Sequence, residues 1–436
     1  MPYDCAGSAR APSWRRLTAD LSHMARAPTS SSIDPALDAA ALLRRVGFFG
    51  LFVVVPIAAQ VARRAAVILV PICIVLLILA SAIDGKNRPV RPVATALLRS
   101  PAFHAGLLVL GWAALSLVWT PFLDPATERL LNLVATILLT LVGYLALPDR
   151  MRSANLYLLP VGVTAAAILS IGIGLFGDSV MRSSADDDGA LNRGLILLAL
   201  LVWPAMAWLR SRGRDIEALV TLVLVACALV AVPNVTQWTA LAVGAVVFAL
   251  ASVRMSLTTR LVAVLGAGLL VAAPLLPFVA RPLGIAVAGP VAPAVLSIKA
   301  WQKVVTTEPV RLITGHGLES ARRGRVVGLV PANAPTTVLF ELWYELGLVG
   351  ALAAAFALHG AIRRSERVAA VLVPGALAAF AAAFAVACIG VGLTVMWWIT
   401  TLSVVVLVFI AVERGQFRTR RPKVGLLRNA QAANDA

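Results

Sequence analysis

Long apolar runs alternate with short polar segments through most of this chain. Runs of roughly 16–23 residues are long enough to cross a hydrocarbon core about 30 Å thick. The pattern therefore predicts an all-α polytopic membrane protein with about 12 transmembrane helices. We place these helices at 46–62, 65–83, 102–119, 130–147, 157–176, 194–209, 216–232, 239–253, 261–280, 337–362, 368–389 and 394–412.

Basic residues between the apolar runs predict the orientation of the helices. If the N-terminus is inside, most of the 38 Lys and Arg residues fall in inner segments, as the positive-inside rule requires. Both termini then face the cytoplasm. We divide the chain into a basic tail at 1–45, expected to be disordered, a membrane domain at 46–412 and a basic tail at 413–436. Val391 and Gly392 mark the expected turn between the last two helices.

Composition excludes several classes of protein. Charged residues make up 14% of the chain, against about 25% in a soluble domain. The net charge of +17 alone would suggest nucleic acid, but the cations lie in short caps between apolar runs, so we expect membrane lipids as partners and no nucleic acid. The four Cys and four His residues lack metal-ligand spacing, and we expect neither a metal nor a cofactor.

One outer loop, at 281–336 between helices nine and ten, is far longer than the usual helix connection. It is also basic, against the positive-inside trend. Its stretch 299–305 predicts a short amphipathic helix. Arginine binds phosphate oxygens in a bidentate way, so the loop suits a phosphate or pyrophosphate on a lipid. The alternative is a solvated loop that contacts anionic headgroups without chemistry.

Two features in and after this loop are candidates for chemistry. The turn Gly315-His316-Gly317 could bring backbone N–H groups close to an anion, or it could be a simple tight turn. Glu341 and Glu345 lie one helical turn apart. Glu345 is deep enough in its helix to be a functional candidate, unless a neighbouring backbone or arginine holds it. We expect Glu341 to be solvated.

Another candidate, Arg193, stands where an outer loop meets a helix. It could point into a cavity shared with the long loop. Alternatively, its side chain could extend to the lipid headgroups. The neighbouring acidic run, Asp186–Asp188, lies in the same outer loop.

Three stretches carry a resemblance to a known family. The first runs from Trp301 and Pro309 to Gly315-His316-Gly317-Leu318, and the second is Glu345-Leu346-Gly347-Leu348-Val349-Gly350. The third is Asn192-Arg193-Gly194, which opens a helix that reaches Trp203-Pro204. In these features the chain resembles the O-antigen ligases and O-antigen polymerases, polytopic glycosyltransferases of the GT-C type. The signature covers about 292–356.

The resemblance implies a metal-independent glycosyltransferase in the bacterial inner membrane. Such enzymes take a glycan from an undecaprenyl-pyrophosphate donor at the periplasmic face and pass it to a lipid-linked acceptor such as lipid A–core. Basic residues would hold the pyrophosphate, and turn residues would shape the loop. The implied pyrophosphate ligands are Arg193, Arg311, Arg322, Arg323 and Lys299, and the implied turn residues are Gly315, Gly317, Pro335 and Gly347.

This chain departs from the family where the family has its base. The family's His-Pro-His-Asn falls on Ala334-Pro335-Thr336-Thr337, so Pro335 keeps the register and both histidines are absent. Glu345, Glu341 or His316 could replace the missing base. Two other functions stay open. One is a non-catalytic relative in polysaccharide assembly, and the other is a transporter of lipid-linked glycan.

Overall fold

A computed structural model describes residues 35–84, 95, 98–180, 187–365 and 369–416, and its regular elements are all helical. Helix α1, Pro35–Phe49, continues through a π-helical turn, Gly50–Val54, into α2, Val55–Val61. The other helices are α3 Ala65–Ile83, α4 Pro101–Leu115, α5 Leu123–Ala146, α6 Ser153–Val180, α7 Asp187–Ser211, α8 Asp215–Ala231, α9 Val235–Val253, α10 Met255–Ala272, α11 Leu276–Ala288, α12 Pro293–Thr307, α13 Arg311–Thr314, α14 Ser320–Val327, α15 Val338–Arg364, α16 Val373–Ile389 and α17 Met396–Arg414.

Helix length and hydropathy identify a multi-pass membrane protein. Among the described residues, 10 helical segments are long and apolar enough to cross a membrane. Each of the predicted spans overlaps a helix, including α8 and α16, which have 17 residues each and are not among those ten. The all-α, membrane-spanning class is thus confirmed. The number of crossings stays a prediction.

Some helix boundaries differ from the predicted ones. Helix α1 begins at Pro35, inside the segment expected to be a disordered tail, whereas 1–34 and 417–436 lie outside the described residues. The long loop was expected to begin at 281, but α11 continues to Ala288. Arg281, predicted to follow the end of an apolar helix, lies inside α11, and its guanidinium donates a hydrogen bond to Gln302. Asp186 also lies outside the described residues.

Helix α7 forms the centre of the bundle. About 89% of its most apolar window is buried, far more than in any other candidate span of the described chain. Trp203 and Trp208 on this helix are fully buried. A Cβ atom added at Gly244 of α9 would lie 2.4 Å from the Trp203 ring. Small residues that admit a large neighbour in this way are typical of packed membrane helices.

Contacts at the two ends of the bundle agree with the predicted grouping of polar segments into two sides. At one end, the Met151 N–H donates to the Arg414 carbonyl at 3.2 Å, which joins two segments predicted to be inside. At the other end, the Gln237 amide donates to the Asn192 side chain at 3.0 Å, which joins two segments predicted to be outside. Segments assigned to one side therefore meet on that side.

Candidate functional site

Helix α15 is interrupted at Gly347, where the long loop packs against it. Gly347 has φ 64° and ψ −160°, a conformation that is essentially restricted to glycine. A Cβ atom there would lie 2.5 Å from the Ile313 carbonyl oxygen and 2.6 Å from the Gly315 nitrogen. The glycine is needed because any side chain would push the loop away from the helix.

The loop satisfies backbone groups that the interruption exposes. The His316 N–H donates to the Tyr344 carbonyl at 2.8 Å, and the Gly317 N–H donates to the Glu345 carbonyl at 3.0 Å. The turn Gly315-His316-Gly317 is thus a tight turn docked on α15. Its N–H groups are used inside the protein, so the alternative in which they bind an anion is wrong.

The His316 imidazole is held by three contacts within the loop and helix. Its ring stacks on that of Tyr344 with centroids 4.1 Å apart. Its Nδ1 lies 3.1 Å from the Tyr344 carbonyl oxygen, and its Nε2 lies 2.9 Å from a Glu308 carboxylate oxygen. With both ring nitrogens bonded, the imidazole fixes the position of the loop.

Glu345 is buried under the long loop. Its side chain is 1% exposed, and its Oε1 accepts a hydrogen bond from the Ala321 N–H at 3.2 Å. That N–H belongs to the first turn of α14, where backbone N–H groups have no partner within the helix. The Glu345 carboxylate thus caps α14, which matches the alternative in which a neighbouring backbone holds it. Its Oε2 atom is buried without a hydrogen-bond partner.

Glu341 is buried as well, so the expectation that it is solvated is wrong. Its carboxylate accepts hydrogen bonds from Arg325 Nη2 and from the Leu393 N–H, both at 2.6 Å. Glu341 is buried because tertiary packing places α14, with Arg325, over the start of α15. Glu341 therefore joins the long loop to the turn between α16 and α17, which contains the predicted Val391 and Gly392.

A third buried carboxylate, Glu319, was missed by the sequence analysis. It is fully buried, and its Oε1 accepts from the Thr394 hydroxyl at 2.6 Å and lies 3.7 Å from Arg129 Nε. Its backbone has φ 64°, an uncommon value for a residue other than glycine. Glu319 interacts electrostatically with Glu341 and Glu345. In the described part of the chain, no group of His, Cys, Asp and Glu is arranged to hold a metal ion.

Beside this junction lies an open cleft of about 1040 Å³ whose wall is basic. Apolar side chains such as Ile68 and Trp397 line the remainder, together with Thr336. No described Asp or Glu lines it. The basic residues on its wall come from four separate parts of the chain: Arg63, Arg64, Arg129, Arg193 and Arg322.

Close helix packing brings Arg193 into this cleft. A Cβ atom at the next residue, Gly194, would lie 2.7 Å from the Ala59 carbonyl oxygen, so only glycine lets α7 approach α2 this closely. Arg193 is thereby near enough to Arg63 for the two charges to interact. Its guanidinium also lies 5.2 Å from the centre of the Trp397 ring, within the range of a cation–π contact.

The arginines on its wall give this cleft the chemistry to accept an anion. Arginine side chains stay protonated in proteins, and like charges gathered in a cleft oppose the folded state. Glu319 offsets part of the charge of Arg129. Arg193 and Arg322 form no ion pair with the described residues. An anion with several oxygens would relieve the repulsion and would accept bidentate hydrogen bonds from the guanidinium groups.

The structure brings together only part of the predicted site. Arg193 and Arg322 share the cleft, and Arg193 lies within α7, not in the loop before a helix that was predicted to begin at 194. Lys299 lines a different cavity, and neither Arg311 nor Arg323 lines either one. The proposed bases, His316, Glu341 and Glu345, are also absent from the cleft wall.

Three cleft residues were missed because they lie far from any motif: Arg63, Arg64 and Arg129. The sequence did contain a signal for them. In the outer segments other than the long loop, cations are scarce, as the positive-inside rule predicts. These three and Arg193 make up nearly all of them. Outer-segment cations, which the positive-inside rule disfavours, therefore mark the arginine-lined cleft in the sequence.

The fold and the cleft define a class: a multi-pass membrane protein with an arginine-lined cleft at one end of its helix bundle. Neither a scan against protein-family models nor a search of curated proteins gives a match for this chain. Any more particular assignment depends on the quoted motifs and on the geometry of the cleft.

Proposed function

We propose that this protein is an O-antigen ligase-like glycosyltransferase of the bacterial inner membrane. It moves a glycan from undecaprenyl pyrophosphate to a lipid-linked acceptor at the periplasmic face. The observation that carries the proposal is the arginine-lined cleft, at the end of the bundle that the charge pattern assigns to the outside. In this proposal α8 and α16 also cross the membrane, which gives twelve crossings.

The cleft suits a polyprenyl pyrophosphate because it combines cations with an apolar wall. The arginines bind the pyrophosphate, and residues such as Ile68, Val395 and Trp397 contact the prenyl chain. During transfer, the acceptor hydroxyl oxygen forms a bond to the anomeric carbon of the donor. The bond from that carbon to the pyrophosphate oxygen breaks, and undecaprenyl pyrophosphate leaves with the electron pair. Fixed cations favour this step because negative charge grows on the leaving oxygen.

The hydroxyl proton has no carboxylate or imidazole to receive it on the described cleft wall. Thr336 lines the cleft at the position where the resemblance places the second family histidine. We propose that the proton passes to water or to the departing pyrophosphate. Glu345, Glu341 and His316 then position the loop and take no part in proton transfer.

A second candidate function is carrier binding without transfer. Thr336 favours this function, because it stands at the family's histidine position and threonine is a poor base. Such a protein would hold lipid-linked glycan for a partner enzyme in polysaccharide assembly. A transporter is less well supported, because the basic residues of the cleft all lie at one end of the bundle.

Deletion of the gene in its native host tests the proposal. Membranes are assayed for the surface glycolipid ladder and for undecaprenyl-pyrophosphate-linked glycan. We expect deletion to remove the ladder while the lipid-linked glycan accumulates. The wild-type gene should restore both, and the double variant Arg193→Gln/Arg322→Gln should not.

The matched control is Arg311→Gln/Arg323→Gln, which removes the same charge from exposed loop positions outside the cleft. It should restore both pools. If neither pool changes on deletion, the transferase proposal fails. If purified protein binds the lipid-linked glycan but forms no glycosidic bond with any extracted acceptor, the carrier-binding function replaces it.

A further inference from the structure

A second basic cavity, of about 500 Å³, lies between α11, α12 and the segment that follows α14. Its cations are Arg281, Lys299 and Lys303, and no described Asp or Glu lines it. Amide and hydroxyl groups complete its polar surface: Gln302, Thr306 and Asn333. The function proposed above does not use this cavity.

Hydrogen bonds hold its walls in place. Arg281 Nη1 donates to Gln302 Oε1 at 2.9 Å, which fixes α11 against α12. The Asn333 amide donates to the Leu296 carbonyl at 3.1 Å, which fixes the third wall against α12. These contacts keep the cationic side chains around one space.

Two lysines of this cavity lie close together on one helix, where their charges repel each other. Lys299 and Lys303 are four residues apart on α12, so both point to the same side of the helix. Like charges at this spacing destabilise a helix. Both line the cavity and both are exposed. An anionic ligand would compensate for the repulsion.

The short segment 331–336 separates this cavity from the cleft. Pro331 and Asn333 line the second cavity, and Thr336 lines the cleft. Three residues of extended chain span at most about 11 Å, so the two spaces lie on either side of one thin wall. One extended ligand, or two ligands that react with each other, could occupy both.

We propose that this second cavity binds the acceptor through an anionic sugar, phosphorylated or carboxylated. The acceptor role depends on the transferase function proposed above. The cations hold the anionic group, and the amide and hydroxyl groups bond to sugar hydroxyls. The site thereby places an acceptor hydroxyl beside the donor.

Binding of glucose 6-phosphate to the full-length protein in phosphatidylcholine nanodiscs tests this site without any transfer reaction. We expect the sugar phosphate to bind, and neutral glucose to bind far more weakly. Lys299→Gln/Lys303→Gln should lower the affinity for glucose 6-phosphate at least about ten-fold, because charge-assisted hydrogen bonds are lost. Arg311→Gln, an exposed loop cation outside the cavity, should leave the affinity unchanged.

Cleft variants assign the binding to one cavity. Arg193→Gln/Arg322→Gln should retain glucose 6-phosphate binding and lose undecaprenyl-pyrophosphate binding. Lys299→Gln/Lys303→Gln, the lysine variant, should lose glucose 6-phosphate binding and retain undecaprenyl-pyrophosphate binding. Loss of glucose 6-phosphate only in the cleft variant overturns the acceptor site. So does an equal affinity in all variants. Displacement of the sugar phosphate when phosphatidylglycerol is added to the nanodiscs assigns the cavity to bilayer headgroups, which also overturns the proposal.

Failure of the acceptor site leaves the donor site testable. If the lysine variant binds glucose 6-phosphate normally but the cleft variant has lost undecaprenyl pyrophosphate, only the acceptor inference is wrong. If undecaprenyl pyrophosphate binds equally to every variant, the transferase proposal itself fails.

Discussion

Replacement of Gly347 by alanine should detach the long loop from α15. The φ of 64° and ψ of −160° belong to a region that costs a side-chain-bearing residue about 1–3 kcal/mol. The new Cβ atom would overlap the Ile313 carbonyl oxygen and the Gly315 nitrogen. Moving the turn away would weaken the two hydrogen bonds from His316 and Gly317, each worth about 0.5–1.5 kcal/mol.

Together these effects destabilise loop docking by about 2–6 kcal/mol. Even the lower value corresponds to about thirty-fold more open loop at equilibrium. Limited proteolysis of the purified protein with trypsin measures this opening, because Arg322 and Arg323 on α14 are cleaved only after the loop unfolds locally. We expect the cleavage rate at these arginines to rise by about the same factor.

Gly268→Ala is the matched control. Gly268 lies inside α10 without a positive φ, and a Cβ atom there would meet no atom within 4 Å. Alanine is favoured over glycine in a helix, so the cleavage rate should not rise. Wild-type cleavage in Gly347→Ala, or equal acceleration in both variants, would refute the strained-glycine argument.

Three further predictions concern the junction between loop and helix. Arg325→Ala leaves the Glu341 carboxylate buried without its ion pair. It should lower the free energy of unfolding by about 3–5 kcal/mol in a denaturation assay. The double variant Arg325→Met/Glu341→Leu, which removes both charges, should lower the free energy of unfolding by less. Trp112→Phe removes the indole N–H that donates to the Leu346 carbonyl at 2.8 Å and should lower the melting temperature, with a cost of about 1–3 kcal/mol. Glu345→Gln should lower thermal stability while glycan transfer per folded molecule stays unchanged; a selective loss of transfer would restore Glu345 as a base.

Much of the fold could be predicted because a long apolar segment in a lipid bilayer is restricted to a helix. A chain in hydrocarbon must satisfy its own backbone hydrogen bonds, so long apolar runs become helices. Boundaries were harder to predict where charged residues lie inside a helix. Arg281 appeared to end a span, but α11 continues to Ala288, and the Arg281 guanidinium is hydrogen-bonded to Gln302 on another helix. That bond depends on tertiary packing, and no local pattern encodes it.

The candidate site could be predicted only in part. Arg193 and Arg322 stood near sequence motifs, and both line the cleft. Arg63 and Arg129 stand out in the sequence only as outer cations, and the packing of α2, α5 and α7 is what brings them into one cleft. Glu341 was expected in solvent for the same reason: the chain that covers it lies earlier in the sequence and returns over α15.

The most direct test of the central claim is the affinity of the purified full-length protein for undecaprenyl pyrophosphate in phosphatidylcholine nanodiscs. Arg193→Gln/Arg322→Gln should weaken binding at least about ten-fold, since each arginine contributes charge-assisted hydrogen bonds to phosphate oxygens. Arg311→Gln/Arg323→Gln, with the same net charge, should bind as tightly as the wild-type protein. An unchanged affinity in the cleft variant, or an equal loss in both variants, would contradict the assignment of this cleft as the pyrophosphate site.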